Sequence, residues 1–103
     1  MSDSDRKLNE LHIPPEVWED PNARELLRAW AANKSLHVSF RTDWREPRPW
    51  GVFLADVARH AARALANEGI SSEESALAEI QATFDEELAE PTDLGSTSVF
   101  KRH

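Results

Sequence analysis

The chain has 103 residues, no cysteine, three glycines and a formal net charge of −7. That length is one domain near the lower limit for unaided folding, and the absence of cysteine excludes disulfides, thiolate metal sites and cysteine nucleophiles. Three scattered glycines, Gly51, Gly69 and Gly95, exclude a glycine-rich nucleotide loop, and no apolar run approaches a membrane span.

Charge is unevenly placed. Residues 1–20 carry −4, residues 21–67 carry +4, and residues 68–93 hold nine acids and no base. A nucleic-acid footprint must be net basic, so this balance disfavours nucleic-acid binding. A basic middle and an acidic C-terminal helix complement each other, within one molecule or between two. The polar, acidic start MSDSDRKLNEL lacks the basic end and apolar run of a signal peptide, and a soluble cytoplasmic protein is expected.

In chain order, residues 1–7 read as disordered. Leu8–Ile13 shows a brief strand-like alternation, stopped by Pro14 and Pro15. Asp20-Pro21 has the form of a helix start, and a helix is expected to about Asn33, with Leu26, Leu27 and Trp30 inward. Leu36–Arg41 is the clearest strand, because Leu36, Val38 and Phe40 alternate with His37, Ser39 and Arg41. From Trp50 to Asn67 apolar residues recur at helical spacing, alanine is frequent, and Gly69 closes the helix. Ser71 and Glu74 have capping-box spacing for a third helix, with Leu77, Ile80, Phe84 and Leu88 as its stripe and Pro91 as its end. Residues 92–103 read as a flexible tail.

The expected domain spans residues 8–91. It is α+β, with two short strands and three main helices in the order strand, helix, strand, helix, helix. Two strands alone make a marginal sheet, so its extension across a homodimer is the economical completion. The expected core is Ile13, Leu26, Leu27, Trp30, Leu36, Val38, Phe40, Phe53, Leu54, Val57, Leu77, Ile80 and Phe84.

Candidate functional residues fall into three groups. Trp44 and Trp50 share a proline-stiffened loop with Arg41, Arg45 and Arg48, a mixture suited to aromatic and guanidinium contacts. Helical spacing accounts for Trp50 as a core residue, whereas Trp44 has no periodic partner. Trp44, Arg45 and Arg48, with His12 and His37, are therefore the candidate interface or ligand contacts. Asp56 and His60, one helical turn apart, form the second group; with His12 and His37 they allow a small-molecule or divalent-metal site with hydrolytic potential. Neighbouring Arg59 and Arg63 give the plainer reading of Asp56 and His60 as surface ion-pair residues. The third group is the acids from Glu73 to Glu90, a soluble face or a docking face for a basic protein. No catalytic motif or cofactor signature is present. The leading expectation is a non-catalytic, self-associating interaction module with no cofactor, whose partner is itself or a further protein, and with neither nucleic acid nor membrane as partner.

The blocks LHIPP, ARELLRAW, LHVSFR, WGVFLADVARHAARA and EPTD, in this order and spacing, resemble a family of short bacterial proteins catalogued as domain of unknown function 5076. The resemblance covers about residues 8–93. It implies a compact stand-alone bacterial domain and brings no activity, cofactor or catalytic residue to any position.

Overall fold

The computed structural model describes residues 9–100. In chain order these form α1 (Pro15–Glu19), β1 (Leu27–Ala32), β2 (Ser35–Arg41), α2 (Pro47–Asn67), α3 (Glu73–Ala89) and β3 (Ser96–Phe100). The fold is α+β, as expected, but its sheet has three strands in the order β1-β2-β3, antiparallel between β1 and β2 and parallel between β2 and β3. The α2–α3 hairpin forms the crossover that a parallel pair requires.

Four local expectations are corrected. Asn9–Ile13 is not a strand: it runs without regular structure to Pro14, and Pro15 opens the single-turn α1. Residues 21–33 are not a helix. The Asp20 carboxylate accepts a hydrogen bond from the Asn22 N–H (2.8 Å), and the Asp20 carbonyl accepts one from Ala23 N–H (3.1 Å), so this residue builds a turn instead of a helix cap. Leu27–Ala32 then pairs along its whole length with β2. Asn33 and Lys34 both have positive φ (53° and 62°), as a two-residue hairpin turn demands. Helical propensity in LRAWAA is thus overridden by strand pairing with β2.

The third correction concerns the α3 cap. Ser72, with extended backbone, is the N-cap and accepts from Ser75 N–H (3.1 Å), while the Ser71 hydroxyl donates to the Ser72 carbonyl. Glu73 and Glu74 in the first turn suit the positive end of the helix dipole. Fourth, residues 96–100 of the expected tail form β3. The expectation of disorder at residues 1–7 lies outside the described residues, as do positions 101–103.

Directly paired strand residues point to one side of the sheet, which divides it into two faces. Leu27, Ala29, Ala31, Leu36, Val38, Phe40, Thr97 and Val99 share the apolar face. Arg28, Trp30, His37, Ser39, Arg41, Ser96, Ser98 and Phe100 share the other, where the Arg41 guanidinium lies 4.5 Å from the centre of the Phe100 ring.

Helices and sheet meet through an aromatic cluster. Trp50, in the first turn of α2, packs its ring on Phe40 of β2 (5.2 Å between centroids), on Trp44 (5.0 Å) and on Phe53 (5.6 Å). Among the described residues these side chains make the junction, and no strand Cα lies within 8 Å of a Cα in α2 or α3. The α2–α3 hairpin closes on itself at its tip, where Ala62 and Ala76 are the buried apolar residues among those described. None of the thirteen expected core residues is fully buried in the single chain. The radius of gyration is 15.8 Å, against about 13 Å for a compact chain of this length. The accessible surface is 9193 Å², against about 5,900 Å² for a folded monomer of this mass.

The hairpin turn gives a direct test. Lys34 occupies a left-handed conformation that strains any residue with a Cβ. Lys34→Gly is expected to stabilise the protein by about 1 kcal/mol, read as a higher urea midpoint at unchanged slope.

Candidate functional site

The segment after α3 is where the chain is locked to the sheet. Pro91 follows the helix, and Thr92 donates from its N–H and its hydroxyl to the Glu87 carboxylate (both 3.0 Å). Asp93 then reaches β2. Its carboxylate accepts from the Ser35 hydroxyl (2.5 Å), the Leu36 N–H (2.9 Å) and the Gly95 N–H (2.9 Å). Ser35 and Leu36 begin β2, so one side chain fixes where β3 enters the sheet. Gly95 has φ +56°, and a Cβ there would collide with the Leu36 carbonyl. A side chain is therefore excluded at Gly95 by both conformation and space.

His37 stands next to this anchor on the polar face. Its Nδ1 is hydrogen-bonded to the Ser96 hydroxyl (2.5 Å), and its Nε2 donates to the Ala32 carbonyl (3.1 Å) in the tautomer that lets Nδ1 accept from Ser96. The ring thus bridges all three strands. The Asp93 carboxyl is held below the usual carboxylate range, first by the Ser35 hydroxyl and next by the Leu36 N–H, with Gly95 N–H and the charge of His37 adding to them against desolvation.

The other candidate residues lie apart from this anchor. Trp44 is half-buried, with its ring on Trp50 and on Phe53 (5.7 Å), inside the cluster that joins sheet to helix. Arg45 and Arg48 are exposed; Arg48 lines a shallow open cavity of about 480 Å³ with Trp44, Val52, Phe53 and Asp56. His12 is exposed in the irregular segment before α1, so it does not share a sheet face with His37. His60 is exposed on α2, and the Asp56 carboxylate pairs with Arg59 (3.6 Å). Among the described residues, no three His, Asp or Glu side chains converge in a way that would hold a metal ion.

A further exposed feature is apolar. Between α2 and α3, Leu54, Ala58, Leu77, Ile80 and Phe84 line an open cleft of about 410 Å³, with Arg59 and Asp85 also lining it. Phe84 remains 46% exposed and Leu88 70%. On the apolar face of the sheet, Leu36 is 51% and Val99 46% exposed, and Ala29 and Ala31 are open. Single exposed apolar residues are ordinary, but two continuous apolar faces are not.

The described residues thus define a small α+β domain: a three-stranded mixed sheet crossed over by a helical hairpin, with no helix long and apolar enough to cross a membrane. The model of the domain of unknown function DUF5076 matches residues 10–92, and the chain belongs to that family. No curated protein matches it. Among solved structures it is similar to one described as "a putative pyruvate dehydrogenase from the photosynthetic bacterium Rhodopseudomonas palustrus CGA009", with 36% identity and a TM-score of 0.65. The similarity covers 92% of this chain and 95% of that one.

Sequence reasoning did not find the Asp93 anchor. Its signal was present in Pro91-Thr92-Asp93 followed by Gly95, a run of helix stop, short polar side chains and a residue free to take positive φ.

Two outcomes check the anchor. Gly95→Ala is expected to destabilise by more than about 1 kcal/mol in chemical denaturation. For Asp93 the folded pKa is lowered, so its contribution is fully present above the ordinary value near 3.8 and is lost as pH falls through the folded value. The stability gap between the protein and Asp93→Asn, followed by urea midpoints, is expected to be constant from neutral pH down to the ordinary value of 3.8 and to shrink as pH falls below it.

Proposed function

We propose that the protein is a cytoplasmic, self-associating interaction module whose working form is a homodimer. One observation carries this reading: the single chain leaves the apolar face of its sheet and the apolar cleft of its hairpin exposed, and among the described residues no large side chain is completely buried. Its accessible area exceeds that of a folded monomer by about 3,300 Å². A standard interface needs only about 800 Å² from each partner. Hydrophobic burial is the dominant stabilising contribution to folding, so a domain with its core open on two sides gains its stability from a second surface.

Arg45, Arg48 and the exposed edge of Trp44 extend this contact region at the start of α2. Arginine beside an aromatic ring suits the rim of an interface, where it supplies orientation more than affinity. Charge supports the same arrangement: a chain basic in residues 21–67 and acidic in 68–93 is complementary to another copy of itself. The likeness to the Rhodopseudomonas protein supports the shared fold; the reading proposed for this chain rests on the open apolar faces and not on that protein's name.

Multi-angle light scattering at tens of micromolar is expected to give twice the 11.7 kDa chain mass. A monomer mass together with a cooperative unfolding transition would overturn the proposal. Arg45→Glu with Arg48→Glu is expected to weaken self-association on dilution while leaving helix content intact; an unchanged dimer would remove those two residues from the interface.

A further inference from the structure

Building on the homodimer reading, we infer that the two uncovered faces cover one another between chains: the hairpin cleft of one copy receives the apolar sheet face of the other, and the reverse.

Three observations select this mode. First, both faces need cover, and a dimer joined hairpin to hairpin would leave Leu36, Ala29, Ala31 and Val99 in water. A dimer joined sheet to sheet would instead leave Leu54, Phe84 and Leu88 there. A single twofold operation that sets sheet against hairpin covers both, building the layered arrangement that encloses a core. Second, α3 and the turns flanking it carry only acids from Glu68 to Asp93, so apposing two α3 helices brings like charges together. Arg28 and Arg41 lie on the other face of the sheet, but the exposed Lys34 in the β1–β2 turn stands at the end of the apolar face, and there opposite charges meet. Third, the surfaces match in relief. Ala29 and Ala31 are small and open beside Leu36, which leaves room for Phe84 and Leu88 to approach the sheet closely.

Within one chain this contact is not made. The aromatic cluster of Phe40, Trp44, Trp50 and Phe53 fixes the start of α2 at one end of the sheet, and the hairpin departs from there without lying over Leu36 or Ala31. The exchange between copies supplies what that fixed exit angle withholds.

The lack of native cysteine makes cross-linking decisive. Leu36→Cys and Phe84→Cys chains, carrying different tags and co-expressed, would be treated with a short bis-maleimide, with Val99→Cys and Leu88→Cys as a second pair in case either first variant fails to assemble. Light scattering of each variant establishes that it remains dimeric. The expected result is a cross-linked species containing both tags in the mixed sample, at several times the yield of either variant alone. A dimer that cross-links best from Phe84→Cys alone, or from Leu36→Cys alone, or not at all from either mixed pair, would overturn the reciprocal mode while leaving the homodimer standing. A monomeric protein would overturn the homodimer itself.

Discussion

The edge-on packing of Trp50 against Phe40 is the contact on which the architecture turns. Phe40 belongs to the central strand and Trp50 to the first turn of the long helix, and Trp44 and Phe53 close the group around them. Aromatic rings at these separations bury large areas and prefer tilted, edge-to-face geometry, so the cluster fixes an angle as well as a distance. Pro47 and Pro49 stiffen the approach to the helix and leave the chain few other ways to leave the sheet. That angle sends the hairpin away from the apolar face of the sheet. The open core is thus a consequence of a well-packed joint.

Closure at the other end depends on charge and hydrogen bonding instead of on apolar area. Asp93 ties the chain returning from α3 to the start of β2, and the His37 ring joins β1, β2 and β3 across the polar face. These bonds are exposed, so their strength lies in number and geometry more than in low dielectric. The two joints divide the work: the aromatic cluster orients the hairpin, and the carboxylate sets where β3 enters its parallel pairing.

The strand at Leu36–Arg41 and the helices from Trp50 and from Glu73 were legible because one period dominates each of them. The segment around Leu27–Ala32 was not. Leucine, arginine and alanine favour helix, and the competing evidence was two turn residues, Asn33 and Lys34, only one of which commonly takes positive φ. β3 escaped because STSVF is short and apolar only at its end, and its partner lies some sixty residues earlier in the chain. The candidate residues Trp44, Arg45 and Arg48 were drawn from the make-up of one loop, which had no access to the Trp50 and Phe53 contacts that half-bury Trp44.

By itself the sequence determined an α+β domain, the family to which it belongs, the central strand, the hairpin helices, and a charge split between a basic middle and an acidic C-terminal part. Local periodicity and charge count suffice for these, because each depends on residues near one another in the chain. Only the tertiary structure decided that residues 27–32 are a strand, that Asp93 anchors a third strand, and that the apolar faces of sheet and hairpin stand apart. Those outcomes depend on contacts between distant segments, where pairing and packing outweigh local preference.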